Sequence, residues 1–251
     1  MKIDLLERSQ LEILNKRGPK YNLQDAEKDY FLAIILSIFY GSKLKDVLVF
    51  KGGTAIYHCY LGQIRFSKDL DFTATIKLKL HDIENLFSGF GIFKLKNAEE
   101  KKFGLAFSLQ YRGILAQADT IEVDINTNQK VLLKPKIMEY KNYYGVKLLC
   151  PVMDKNEIIA EKIRTLNDRA RPRDSYDLVI LQKKLGLNID EALVLLAKKE
   201  MYIPLNKKNI TENIKISLER FDNEMEELYY REKITKEEIK GFSNELLEKI
   251  K

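Results

Sequence analysis

The chain has 251 residues, of which 43 are Lys or Arg and 37 are Asp or Glu, giving a formal net charge of +6 at pH 7. An apolar fraction of 45% excludes an extended disordered chain, and the length allows two modest domains. The positive charge is compatible with a polyanionic partner such as RNA or nucleotide phosphates. A lysine-rich surface that is only solvated gives the same balance, so charge alone does not identify a partner.

The N-terminal segment and the cysteine content indicate the compartment. The first ten residues carry acids where a secretion signal requires an apolar run, so export is not expected. The longest apolar stretch, residues 31–40, is about half as long as a bilayer-spanning helix. Cys59 and Cys150 are therefore expected to be reduced thiols. These features predict a cytoplasmic protein with no membrane partner.

The hydrophobic pattern predicts helices and strands before about residue 150 and helices after it. A short helix is predicted from Leu5 to Asn15, and a second helix follows the N-cap Asn22 and ends at Gly41. Strands are predicted at residues 47–50, 70–75, 104–111 and 120–125, and a short helix at residues 54–60. From Asp154 onward the spacing of apolar residues is helical, and the last helix is predicted at residues 235–251. The sequence thus predicts an α+β fold, with a mixed-sheet domain at 1–150 and a helical domain at 151–251.

A pair of glycines follows the first predicted strand. Gly52 and Gly53 separate that strand from the helix predicted at 54–60. Because glycine has no Cβ, such a turn lets a phosphate approach backbone N–H groups at the start of a helix. A simple tight turn requires the same residues, so the glycines alone do not establish a phosphate site.

Two aspartates occupy alternate positions at the second predicted strand. Residues two apart on a strand point to the same face, which brings Asp69 and Asp71 together while Leu70 and Phe72 face the core. Two carboxylates held this close repel each other, and protonation or a bound cation relieves the repulsion. The pattern favours a site for a hard ion such as Mg²⁺, with a solvated strand face as the alternative.

A third acid, Asp124, lies in the alternating strand at residues 121–125. If this strand is adjacent to the strand that carries Asp71, the three acids can hold two Mg²⁺ ions and support a phosphoryl transfer. With only two histidines in the chain, acid–base or zinc chemistry based on histidine is poorly supplied.

Two motifs resemble those of the AbiEii/AbiGii toxin-like branch of the polymerase-β-type nucleotidyltransferases. Gly-Gly-Thr at 52–54 with Arg-Phe-Ser-Lys-Asp-Leu-Asp-Phe at 65–72 resembles the first motif. Glu-Lys at 161–162, Arg169 and Arg-Asp-Ser-Tyr-Asp-Leu at 173–178 resemble the second hallmark. Composition alone would equally suit a salt-bridged helix pair at the second motif. The likeness covers roughly residues 45–180, and it implies a nucleotidyltransferase-type mixed-sheet core followed by a helical domain.

The resemblance assigns roles to individual residues. Those expected to act in catalysis are Asp69, Asp71, Lys162 and Asp177. Those expected to hold Mg²⁺ are Asp69, Asp71 and Asp124. Those expected to contact the nucleotide are Gly52, Gly53, Thr54, Ser67 and Lys162. Within the second hallmark, Arg173 and Asp174 are expected to form a structural ion pair.

The same resemblance implies a function. The expected activity is magnesium-dependent transfer of a nucleotidyl group from an NTP, with two Mg²⁺ ions, to an acceptor such as the 3′ end of a tRNA. The protein would be the toxin of a type IV toxin–antitoxin system, with a cognate antitoxin as partner. Two alternatives remain at this point: the acceptor is a protein or a small molecule, or the chain is a nucleotide-binding regulator without catalysis.

A basic, aromatic segment just before the helical half is a candidate for RNA contact. Its tyrosines are Tyr140, Tyr143 and Tyr144, and its lysines are Lys130, Lys134, Lys136, Lys141 and Lys147. Cations interleaved with aromatic rings can hold a nucleic-acid backbone and stack a terminal base. An exposed hairpin of the sheet gives the same pattern, so both interpretations stay open.

Overall fold

A computed structural model describes residues 3–227 and 229–250 and divides them into two compact units. The sheet unit comprises the residues up to Gln63 together with Ser67–Val131 and Pro135–Met153. The helical unit comprises Ile64–Phe66, Leu132–Lys134 and the residues from Asp154 onward. The predicted α+β class, with a mixed sheet and helices, is confirmed.

The sheet unit begins with two helices, the second of which packs on the sheet. They are α1 (Arg8–Arg17) and α2 (Leu23–Tyr40). The side chain of Asn22 accepts the backbone N–H of Asp25 at 2.8 Å, so the predicted N-cap is present. Helix α2 is buried along most of its length, and the ring of Phe31 stacks on Tyr111 with centroids 4.0 Å apart. This contact holds α2 against the apolar face of the sheet.

Within the described residues, seven strands form one mixed sheet. They are β1 (Leu48–Lys51), β2 (Leu70–Ala74), β3 (Phe93–Lys101), β4 (Gly104–Arg112), β5 (Ala118–Asn126), β6 (Lys136–Glu139) and β7 (Leu149–Val152). Their order is β3-β4-β5-β2-β1-β7-β6. The pairs β2–β5 and β1–β7 are parallel, and the remaining neighbours are antiparallel.

Two helical segments connect the strands. Helix α3 (Gly52–Ala55) follows β1 directly and continues as a π-helical turn (Ile56–Tyr60). Helix α4 (Leu80–Ser88) lies between β2 and β3. The sequence predicted neither α4 nor β3, and it allowed β6 and β7 only through the alternative of an exposed sheet hairpin at about residues 130–147.

The two faces of the sheet differ in chemistry. One face carries buried apolar side chains, among them Phe50, Phe72 and Ile125. Because side chains alternate along a strand, Asp71 and Asp124 lie on the opposite, polar face. The sheet therefore presents its carboxylates from a rigid, well-packed platform.

The helical unit contains five further helices in the described part of the chain. They are α5 (Lys155–Asp168), α6 (Pro172–Leu185), α7 (Ile189–Leu196), α8 (Lys207–Glu227) and α9 (Lys236–Lys249). Buried Glu157 accepts the backbone N–H groups of Leu132 and Leu133 at 2.9 and 3.0 Å and lies 2.7 Å from Lys199 Nζ. These bonds explain why Leu132–Lys134 belongs to the helical unit although it lies between β5 and β6 in sequence.

None of the helices that the structure describes is long and apolar enough to cross a membrane. Cys59 and Cys150 are buried free thiols in the sheet unit. A hydrogen bond with Cys150, together with burial, raises the pKa of the Cys59 thiol. Both thiols are buried, whereas reactive cysteines are partly exposed to solvent.

Candidate active site

Gly52 packs directly against the carboxylate of Asp71. Its φ is +75°, and a Cβ added at this position would lie 2.1 Å from Asp71 Oδ2. Both the backbone conformation and the space therefore require glycine. Lys51, the residue before it, is the strand partner of Asp71 in the antiparallel pair β1–β2. The glycine turn and the first acidic motif thus meet at one place on the sheet.

Replacing Gly52 by alanine is expected to displace the Asp71 carboxylate and to abolish activity. Gly62→Ala is a matched control, because Gly62 has a φ of +73° and open space where a Cβ would lie. Each variant should lose about 1 kcal/mol through the strained φ. Only Gly52→Ala adds the clash, so thermal unfolding and transfer assays should separate the two variants. Equal loss of activity in both would contradict the close approach.

Thr54 positions the segment that leads into β2. Its Oγ1 donates to the carbonyl oxygen of Asp69 at 2.6 Å and lies 2.9 Å from Ser67 Oγ. A threonine hydroxyl has one proton, so the Ser67 hydroxyl is the donor in the second bond. Thr54 is buried, and its predicted contact with the nucleotide stays a prediction. The hydroxyl therefore acts as a support for Ser67 and Asp69.

Strand register brings Asp71 and Asp124 side by side. They are direct partners in the parallel pair β2–β5, which the sequence could not show. Asp69 precedes β2 and is partly buried, whereas Asp124 is about half exposed and lies 3.2 Å from Lys101 Nζ through its Oδ2. In the described part of the chain, no group of three His, Cys, Asp or Glu side chains has the geometry of a metal site.

The chemistry of the Asp71–Asp124 pair nevertheless fits one Mg²⁺ ion. Mg²⁺ prefers oxygen ligands and is commonly bound through one or two carboxylates together with substrate phosphates and water. Two aspartates at neighbouring strand positions supply the protein's share of these ligands, and the remaining ligands would come from phosphate and water. The predicted assignment of Asp69 as a further ligand, and of a second ion, stays a prediction.

A second group of predicted residues meets in the helical unit. Lys162 on α5 lies 3.1 Å from Asp174 Oδ1 and 2.7 Å from Asp177 Oδ2, both on α6. Asp177 is fully buried and also accepts two bonds from Arg65, at 3.0 Å from Nε and 3.1 Å from Nη2. This fork-to-carboxylate geometry is the strongest form of such a pair. We call Arg65, Lys162, Arg169, Asp174 and Asp177 the Lys162 cluster.

Neighbouring charges keep Lys162 and Asp174 ionised. Burial alone would raise the pKa of Asp174, but the neighbouring charges of Lys162 and Arg169 outweigh it and hold that pKa well below its ordinary value. Burial would lower the pKa of Lys162, and Asp177 and Asp174 reverse the shift and raise it. Lys162 is therefore a firmly charged ammonium, held in place by two carboxylates.

One sequence-based pairing was wrong, and one partner was missed. Asp174 pairs with Lys162 and with Arg169, whose Nε lies 2.9 Å away, and not with Arg173 as predicted. Arg65 had no role of its own among the sequence-based predictions. Arg65 stands between apolar Ile64 and Phe66, which indicates burial, and a buried guanidinium needs a carboxylate partner. That local pattern was the available signal.

The family model for the nucleotidyl transferase AbiEii toxin of type IV toxin–antitoxin systems matches residues 34–250, which include both groups of site residues. The chain belongs to the AbiEii family. It is a nucleotidyltransferase, which disfavours the non-catalytic regulator. Among curated proteins, no sequence match was found.

Solved structures similar to this AbiEii member include two bacterial proteins. MenT4, a nucleotidyltransferase toxin from Mycobacterium tuberculosis, is 17% identical with a TM-score of 0.64 over 96% of this chain and 99% of its own. JHP933 from Helicobacter pylori is 18% identical with a TM-score of 0.58 over 90% of this chain and 93% of its own. At such identities the likeness shows a shared fold and carries no residue roles.

Proposed function

We propose that this AbiEii-family enzyme transfers a nucleotidyl group from an NTP to the 3′ end of a tRNA, in a magnesium-dependent reaction that releases pyrophosphate. It would act in the cytoplasm as a toxin whose activity a cognate antitoxin restrains. The observation that carries the proposal is the placement of Asp71 beside Asp124, with the backbone of Gly52 against the Asp71 carboxylate.

Asp71 and Asp124 would hold Mg²⁺, with Asp69 as the further candidate for a second ion. Bound Mg²⁺ would lower the pKa of the attacking hydroxyl and neutralise charge on the triphosphate. The backbone of Gly52 and Gly53 would orient the phosphates, and Ser67 would join them by turning its hydroxyl proton from Thr54 Oγ1 to a phosphate oxygen. Most of the rate enhancement from the protein itself would then come from positioning and charge stabilisation.

Lys162 would serve as a phosphate-binding cation. An ammonium has three N–H donors, and the carboxylates of Asp174 and Asp177 account for two of them. The third is then available to a phosphate oxygen. In this proposal Asp177 acts through Lys162 by fixing its position and keeping it charged.

Part of the basic, aromatic segment that was a candidate for RNA contact is buried in the structure. Tyr140 and Tyr144 are buried, and the ring of Tyr140 stacks on His58 with centroids 4.2 Å apart, so these two tyrosines do not form a base-stacking platform. The ring of Tyr143 is partly exposed and lies where a Cβ on Gly18 would collide with it. The choice of tRNA therefore rests on family membership and the net charge of +6.

A transfer assay with each α-labelled NTP tests the proposal. The protein is incubated with Mg²⁺ and total tRNA, and products are separated into RNA, protein and small molecules. Label in tRNA that depends on Mg²⁺ is the expected result. Label on protein or on a small molecule would replace the tRNA acceptor with the alternative acceptor class. Absence of transfer to every class, with intact NTP recovered, would refute the proposed reaction.

A further inference from the structure

We infer that Lys101 is a phosphate-binding residue that neutralises Asp124 until metal and nucleotide arrive. The inference rests on the proposed function, because it gives Lys101 a role in that same site. In the structure, Lys101 Nζ lies 3.2 Å from Asp124 Oδ2. Each side chain is about half exposed, at 47% and 51%, so the pair is reachable from solvent.

The strand register allows the Lys101 side chain to reach Asp124 across β4. Lys101 on β3 is the partner of Gly104 on β4, and Ala106 on β4 is the partner of Asp124 on β5. The lysine therefore crosses β4 where its two polar-face residues are glycine and alanine. Gly104 has a φ of +153°, and a Cβ there would lie 2.1 Å from the carbonyl oxygen of Ile125. This position consequently keeps glycine and offers no side chain to obstruct the lysine.

Stabilisation of the fold is a poor explanation for the Lys101–Asp124 pair. An exposed Lys–Asp pair changes the equilibrium constant of folding by a factor of about 5 at most, and salt screens the attraction between the two charges. Asp124, however, stands beside Asp71 in the sheet, where a cation reduces the repulsion between the two carboxylates. Lys101 provides that cation through its contact with Asp124 Oδ2.

Binding of a metal by Asp124 would release the ammonium, because the two cations repel each other and compete for the single negative charge of the carboxylate. The long flexible side chain of Lys101 then has a new acceptor in reach: the phosphate oxygens of a nucleotide whose metal sits on Asp124. Lys101 would in this way exchange a carboxylate for a phosphate. Removing it should strengthen metal binding to the empty protein and weaken binding of the triphosphate.

The test compares Lys101→Met with Lys102→Met. Lys102 is the adjacent lysine, and its Nζ lies 4.9 Å from the centroid of the Phe103 ring, so its replacement removes the same charge from the same hairpin. Free Mn²⁺ is measured by electron paramagnetic resonance, with protein alone and with a non-hydrolysable NTP. The affinity for NTP and for the corresponding nucleoside is measured by calorimetry in the presence of Mn²⁺.

For Lys101→Met, the affinity of the empty protein for Mn²⁺ should rise about threefold to fivefold. Its affinity for the NTP should fall about tenfold, as expected for loss of a charge-assisted hydrogen bond, and its affinity for the nucleoside should not change. Lys102→Met should match the wild type in all three measurements. Equal changes in both variants, or none in Lys101→Met, would overturn the inference. If the wild type binds neither Mn²⁺ nor NTP, the proposed function fails first and this inference with it.

Discussion

Replacing Asp71 by asparagine is expected to lower nucleotidyl transfer about 1000-fold while the protein stays folded, which corresponds to about 4 kcal/mol of transition-state stabilisation. Asparagine keeps the shape of the side chain beside Gly52 and removes its charge. Asp71 is one of two carboxylates placed together by strand register, so the proposed metal site would require its charge. The loss should appear in the maximal rate and in Mn²⁺ affinity.

Asp46→Asn is the control for this variant. Asp46 is an exposed acid in the sheet unit, and its replacement removes the same charge. Transfer rates, Mn²⁺ affinity and thermal unfolding of both variants are compared with those of the wild type. Asp46→Asn should match the wild type in all three. An Asp71→Asn protein that keeps its Mn²⁺ affinity and loses less than about tenfold in rate would remove Asp71 from the reaction.

Replacing Asp177 by alanine is expected to cost about 3 kcal/mol of stability and to lower the Tm by about 6–12 °C. The carboxylate is fully buried and holds both the Arg65 guanidinium and the Lys162 ammonium. Its removal leaves two buried cations with fewer partners, and an uncompensated buried charge is among the most destabilising changes. Activity should fall as well, because Lys162 loses one of the two groups that position it.

Asp222→Ala provides the comparison for stability. Asp222 belongs to the same unit and pairs with Lys236 at 2.6 Å, but its side chain is 71% exposed, so the loss should stay below about 1 kcal/mol. The double replacement Arg65→Met and Asp177→Leu removes a buried cation together with the anion and should recover part of the stability. Transfer should stay low in the double variant. A Tm of Asp177→Ala equal to that of Asp222→Ala would contradict the assigned burial.

The parts of the fold that the sequence predicted are those with a strong local pattern. The strand at residues 120–125 alternates acids with apolar residues, and β5 covers it. The edge strand β3 was missed because it is mostly polar: six of its nine residues, from Phe93 to Lys101, are Lys, Glu or Asn. An edge strand is commonly protected by charges, which hides it from a hydrophobicity pattern.

The candidate site was predictable where its residues are close in sequence. The glycine turn and the Asp-Leu-Asp motif are short, and their geometry follows from local rules: glycine permits the turn, and alternate strand residues share a face. The register between Asp71 and Asp124, and the pairing of Lys162 with Asp177 across two helices, depend on tertiary packing. No local rule gives such long-range pairings, which is also why the sequence assigned Asp174 to Arg173 instead of Lys162.

The most direct test of the account is a crystal structure with Mn²⁺ and a non-hydrolysable NTP, with manganese located by its anomalous scattering. We expect manganese at carboxylate oxygens of both Asp71 and Asp124, with the triphosphate bound beside it. A triphosphate bound with no manganese at these two aspartates, or manganese bound only elsewhere, would contradict the account.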